Sequence, residues 1–288
     1  MSRKQLVNGR ADTALDAEDR GLAYGDGLFE TIAVNRGRLC LWDYHMDRLL
    51  DGARQLGLPE PPLATLREEA RFLTEKVESG VLKVVYTRGS SEGRGYLPPS
   101  RPIPTRILTL HNPPAIPPER WQGVDVRLCR TRISAQPRLA GIKHLNRLEQ
   151  VMARSEWRDA AIAEGLMLDA DGLIVEGTAT NVFAVRNWVL LTPPLTHSGV
   201  AGVMRRWIVE QAEAFGLRVE KRGFYPGEFA EMDEVFLTNS LIGLWPVRSV
   251  AGTWVPVGKV SRGYLEQIGS RGLTPLVDPP EVGGEGRW

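Results

Sequence analysis

Residues 140–149 read AGIKHLNRLE, and the lysine at their centre, Lys143, follows a glycine and an isoleucine. Leu148, Val151, Met152 and Ser155 recur at helical spacing and predict a helix over about 145–157 with that face turned inward. A lysine fixed beside an apolar flank has its amine pKa lowered by desolvation, as covalent amine chemistry requires. Most lysines are exposed and inert, so Lys143 gains weight only from its company. The other reading of the stretch, a basic surface around Arg147 that touches RNA, finds no matching aromatic or basic module nearby.

Downstream, residues 173–183 read LIVEGTATNVF, where Glu176 closes an apolar strand before Gly177. A carboxylate there can hold a ring nitrogen protonated, although an edge-strand charge is the plainer account. Residues 198–206, SGVAGVMRR, place two glycines ahead of a helix running from Gly202 to Phe215. Backbone N–H groups at such a start form an anion site, and Arg205 and Arg206 in the first turn fit a bound phosphate or, failing that, a solvated arginine pair.

Upstream, Asp43 can cap a helix carrying Met46, Leu49, Leu50, Ala53 and Leu56, ended by Gly57 and Pro59. His45 and Arg48 share one face; the planar fork of Arg48 suits a phosphate, and His45 suits a supporting role. Arg94 and Tyr96, in the loop EGRGY, and Arg106, near a strand start, suit carboxylates. The glycines of RGLAYGDGLFET (20–31) lack the full GxGxxG pattern, which excludes a dinucleotide-binding loop.

Strands are expected at 5–7, 28–34, 38–42, 81–87 and 105–110, with a second helix at 63–77. Beyond the proline-rich NPPAIPPER come strands at 124–129, 166–168, 173–175, 182–185 and 188–191, the last four as a β meander, then strands near 217 and at 234–238 and 244–250. The expected division is an N-terminal α+β domain at 1–112, a linker at 113–120, a larger domain at 121–275 and a mobile tail at 276–288.

With 36 basic against 35 acidic residues the net charge is +1, which gives no global attraction to nucleic acid or an anionic membrane. The 42% hydrophobic and 25% charged fractions are those of a folded globular chain. Cys40 and Cys129 form no metal or disulfide pattern, and no apolar run is long enough to span a bilayer, so a cytoplasmic setting without membrane or metal is expected.

Taken in order, RGLAYGDGLFET, HMDRL, the lysine segment, VEGTATNVF and SGVAGVMRR resemble the fold type IV pyridoxal-phosphate enzymes, a group that includes branched-chain and D-amino-acid aminotransferases and aminodeoxychorismate lyases. The likeness runs from VNGR to about Val250. It implies an α+β fold with a small N-terminal domain and a larger C-terminal pseudo-barrel, the active site between them, and a homodimer partner completing it. It also implies pyridoxal 5'-phosphate as cofactor, Lys143 as its Schiff-base lysine and general base, and Glu176 at the pyridine nitrogen. Arg48, the backbone of Gly202 and Val203, and Asn239 or Ser240 would hold the phosphate end.

GIKHLNRLEQVMAR, VLKVVYTRGSSEGRGY and PTRIL look like the bacterial aminodeoxychorismate lyases in particular. Phe29 stands where D-amino-acid transaminases carry tyrosine, and Tyr96 where they carry a carboxylate-binding histidine. The resemblance therefore implies cleavage of 4-amino-4-deoxychorismate to 4-aminobenzoate and pyruvate, a step of folate precursor synthesis, with Phe29, Arg94, Tyr96 and Arg106 facing the substrate. An aminotransferase on the same scaffold is the alternative.

Overall fold

The computed structural model describes residues 4–11, 13–91 and 95–274; Arg94 and the expected tail lie outside the described residues. Strands β1 (Lys4–Val7), β2 (Gly27–Asn35), β3 (Arg38–Leu39), β4 (Ser79–Thr87) and β5 (Thr105–His111) form an antiparallel sheet in the order β1-β5-β4-β2-β3. Leu28, Ile32, Leu82, Val84 and Leu108 pack there against Met46, Leu49 and Ala53 of α2 (Trp42–Leu56) and Leu66, Ala70 and Leu73 of α3 (Leu63–Thr74), so the 3.6-residue stripes of two helices cover the sheet. A short helix, α1 (Arg20–Tyr24), precedes β2.

Helix α2 does not start as expected. Strand β3 is only two residues long, and the chain turns out of it at Leu41 in the left-handed region (φ 51°), so Asp43 falls inside the first turn, where it accepts from Arg67 at 2.8 Å instead of capping. Gly57, also left-handed, ends the helix as its spacing implies.

The second sheet takes β6 (Val124–Leu128), β7 (Ile162–Leu168), β8 (Ile174–Gly177), β9 (Asn181–Arg186), β10 (Val189–Thr192), β11 (Arg218–Lys221), β12 (Glu234–Asn239) and β13 (Gly243–Val250) in the order β11-β10-β9-β12-β13-β6-β7-β8, with β14 (Thr253–Trp254) on β13. It curls into a half-barrel whose core receives Met204, Trp207 and Ile208 of α5 (Val203–Gln211) and Tyr264, Leu265 and Ile268 of α6 (Lys259–Ser270). The expected meander is broken at its middle: β7–β8 and β9–β10 pair, but β9 runs beside β12 rather than β8. Both β9 and β12 are almost wholly buried, so they occupy the centre of the sheet, where Phe183 stacks on Phe236 at 5.1 Å.

The helix after the lysine, α4, covers only Leu148–Arg154. Residues 143–145 are claimed instead by β2: Phe29 N–H donates to the Lys143 carbonyl and Leu145 N–H to that of Gly27, both at 3.0 Å. The expected inward face is also reversed, since Leu148, Val151 and Met152 are exposed while Ala153 is the buried residue of the helix.

Candidate active site

The bridge from Lys143 to β2 sews the second half of the chain onto the first, and a cavity of about 750 Å³ opens at the seam. Phe29 from β2, Arg48 from α2, Lys143, Glu176 from β8, Val203 from α5 and Ser240 beyond β12 all line it. Residues as far apart in the chain as Phe29 and Ser240 are thus brought to one site.

Lys143 Nζ sits 4.4 Å from the centre of the Phe29 ring. Burial, reinforced by Arg48, lowers its amine to about 8, against the pull of Glu30 and Glu176. About a tenth of the amine is therefore neutral at pH 7, against well under a hundredth for an ordinary lysine, and the neutral form is what a nucleophile or base needs.

Arg48 is locked in place. Its Nε and Nη2 donate to the two carboxylate oxygens of Glu30 at 2.8 and 2.5 Å, and Nη1 donates to the Ala201 carbonyl at 3.1 Å, immediately before α5. Glu30 also takes His45 Nδ1 at 2.6 Å. Burial pushes the Glu30 carboxyl up, but Arg48 and His45 outweigh it and hold it at about 2. Burial keeps the His45 imidazole below its ordinary range despite Glu30, which gives it the supporting place expected.

At the start of α5 the structure corrects two expectations. Gly202 is required because a Cβ there would lie 2.0 Å from Asn181 Oδ1, and its own N–H already donates to that oxygen at 3.1 Å. The first-turn N–H groups of Val203 and Met204, which have no acceptor within the helix, are left as the donors free to meet an anion at the cavity wall. Arg205 and Arg206 do not clamp it: Arg205 is buried against β10, donating to the Pro193 carbonyl at 2.8 Å, and Arg206 pairs with Asp47 at 2.8 Å.

Glu176 is buried, and its carboxyl is pushed up to about 7; Val200 N–H, donating to it at 2.7 Å, works the other way. No lysine or arginine among the described residues lies within ion-pair distance of it. Asn239 has its side chain engaged, donating to the Ala179 carbonyl and accepting from Leu241 and Ile242 N–H, so Ser240 is the residue of that pair with its hydroxyl uncommitted at the cavity wall.

Arg147 is a cavity residue that sequence reasoning passed over as helix-surface basicity. Its Nε donates to the His144 carbonyl at 2.8 Å, while Nη2 is buried without a hydrogen-bond partner, as is Thr238 Oγ1 in the same wall. The signal was its place ahead of the true start of α4, four residues after Lys143. Asn181, within the quoted VEGTATNVF, was likewise missed as the residue that ties Gly202 and the Val200 carbonyl together.

Two of the proposed substrate contacts do not reach this cavity. Tyr96 is 84% exposed, its ring 5.4 Å from that of Tyr24. Arg106 is held by Glu69 at 2.8 and 3.3 Å. Phe29 alone of the described candidates lines it. No cluster of three or more possible metal ligands occurs among the described residues, and no described helix is long and apolar enough to cross a membrane.

A buried amine, a buried carboxylate without an ion-pair partner among the described residues, an arginine set beside open helix N–H groups and a second arginine with an unpaired N–H match, in kind, the aldehyde, ring nitrogen, phosphate and ring hydroxyl of pyridoxal phosphate. Fold and site together define a pyridoxal-phosphate enzyme of fold type IV. Residues 27–250 match the amino-transferase class IV family model, and the chain belongs to that family. It is 36% identical to aminodeoxychorismate lyase of Vibrio harveyi over 89% of this chain and 96% of that one. It is 30% identical to D-alanine aminotransferase of Bacillus licheniformis over 88% and 91%. Among solved structures it is similar to 4-amino-4-deoxychorismate lyase of Pseudomonas aeruginosa, with TM-score 0.89 and 46% identity over 92% of this chain and 98% of that one.

Proposed function

We propose that this chain is a lyase that converts 4-amino-4-deoxychorismate to 4-aminobenzoate and pyruvate. The observation that carries the reading is the near-full-length likeness to the Pseudomonas aeruginosa lyase, supported by Phe29, which puts an apolar ring rather than a hydroxyl against Lys143.

Arg48 and the Val203 and Met204 N–H groups hold the phosphate of the cofactor, with the Ser240 hydroxyl beside them, while Glu30 and His45 keep Arg48 from turning away. Glu176 keeps the ring nitrogen protonated, and Arg147 offers its free N–H to the ring oxygen. When bound, the cofactor supplies an electron-poor ring that accepts negative charge from a carbon attached through the substrate amine. Lys143 would hold the cofactor through Nζ, and the same amine, when neutral and not bonded to the cofactor, would serve as the base. Its Nζ takes the proton from the ring carbon that bears the amine. The neighbouring C–O bond then breaks with its electron pair leaving on the enolpyruvate oxygen, and the released enolate takes a proton at its methylene carbon to become pyruvate. Aromatisation of the ring supplies the driving force, and Phe29 offers the flat product a matching face.

Tyr96 is exposed and does not line its own chain's cavity, and α4 leaves an apolar stripe uncovered. Both fit a homodimer in which the Tyr96 loop of one chain serves the cavity of the other. The deciding experiment is a product assay without any added keto acid. Release of 4-aminobenzoate and pyruvate in equal amounts is expected; amino transfer from D-alanine to 2-oxoglutarate with no 4-aminobenzoate would make the chain an aminotransferase instead.

A further inference from the structure

The anion end of the cavity is built from two helices belonging to different halves of the molecule: α2 brings Arg48, and α5 brings the first-turn N–H of Val203. A phosphate gripped by both is held only as well as the two helices hold each other. The residue before Arg48, Asp47, and the residue one turn into α5, Arg206, meet across this joint at 2.8 Å. Arg206 Nε also donates to Glu210 at 2.9 Å, its guanidinium lies 4.3 Å from the centre of the Tyr44 ring, and the Tyr44 hydroxyl donates to Glu210. Four side chains, two from each helix, therefore close a ring over the outside of the seam.

The adjacent Arg205 faces the opposite way, its Nε and Nη2 donating to Thr192 Oγ1 and the Pro193 carbonyl at the end of β10. The consecutive arginines thus fix the start of α5 from two sides, one to its own sheet and the other to α2. We propose that the ring formed by Tyr44, Asp47, Arg206 and Glu210 is an interdomain latch that sets the spacing between α2 and α5, which makes these four positioning residues for the phosphate of the cofactor. An isolated exposed ion pair contributes little to folding. This ring instead combines a doubly bonded arginine with its stacking on an aromatic face, and what it fixes is the gap between two halves of one binding site. The inference rests on the cofactor, and it holds whichever reaction the site performs.

The test is the rate at which diluted holoenzyme loses cofactor, read from decay of its visible absorption. Asp47→Asn and Arg206→Gln are each expected to release it about fivefold faster, about 1 kcal/mol at 1.4 kcal/mol per tenfold. The double variant should be no faster than the worse single, because both substitutions remove one contact. Arg206→Lys, which keeps the charge, should recover at least half of the loss. Unchanged release rates alongside a lowered unfolding midpoint would overturn the proposal by making the ring a brace for the fold alone. Single effects that multiply in the double variant would overturn it too, since the residues would then act separately.

Discussion

Lys143 destabilises the fold that holds it. Its amine is depressed from 10.5 to about 8 by burial, so between those values the unfolded chain binds the extra proton. Stability of the cofactor-free protein is accordingly lowest below pH 8 and rises as the pH climbs toward 10.5, a difference of roughly 3 kcal/mol at about 1.36 kcal/mol per pH unit. Lys143→Met should therefore stabilise the cofactor-free protein at pH 7 by about 1–3 kcal/mol in urea unfolding, with the gain shrinking at pH 10, while cofactor absorbance and turnover disappear. A gain independent of pH would contradict that cause. Glu30 has the opposite sign. Held at about 2 by Arg48 and His45, it contributes stability that is present above pH 4.5 and lost as the pH falls toward 2. Glu30→Gln leaves a buried guanidinium half paired, and should cost about 3 kcal/mol at pH 7 and flatten the acid limb of the stability profile. Lys143, Glu176 and Arg48 were legible because each stands in a quoted segment with a chemical reason for its residue type. Glu30 was not: only the fold reveals that a carboxylate on β2 faces a helix fifteen residues later.

At the level of elements, α5 is where the structure keeps the glycine-led helix start that the sequence implies and changes which of its N–H groups are free. Glycine spacing announced an anion-ready helix start, but the Gly202 N–H goes to Asn181, a partner on β9 that no local pattern discloses. Gly202→Ala drives a Cβ into that side chain, so it should displace Asn181 from the Val200 carbonyl, weaken cofactor binding about tenfold and cost about 1–3 kcal/mol in thermal unfolding. A variant that binds cofactor normally would mean that the helix start does not depend on Asn181. Element types were largely legible because both sheets and both long helices of the first half carry strong apolar periodicity. Strand order in the second sheet was not, because β8 and β9 read as neighbours in sequence while burial on both faces sends β9 to β12. The reversed face of α4 has the same origin: spacing identifies a stripe, and only the tertiary structure decides which way it turns.

For the molecule as a whole, the candidate substrate contacts are divided between the cavity and the surface. The cavity contains the groups proposed to hold the cofactor together with Phe29, yet Tyr96 stands 84% exposed on the surface and Arg106 is spent on Glu69. If the Tyr96 loop serves the neighbouring cavity of a twofold dimer, the two defects can be carried on separate chains. Lys143→Ala supplies a sound loop to its partner and has no working site, whereas Tyr96→Ala keeps a sound site and lacks the loop its partner needs. Mixed in equal amounts and allowed to exchange subunits, the two should form heterodimers as half of the population, each with one complete site, and recover about a quarter of the parent activity. Recovery should grow with the time allowed for exchange and vanish if the chains are cross-linked as homodimers beforehand. A mixture that never exceeds the sum of its two components would place the loop in its own chain's site. In that case Tyr96 would have to swing inward on substrate binding, and its exposure would describe an open state of a single cavity.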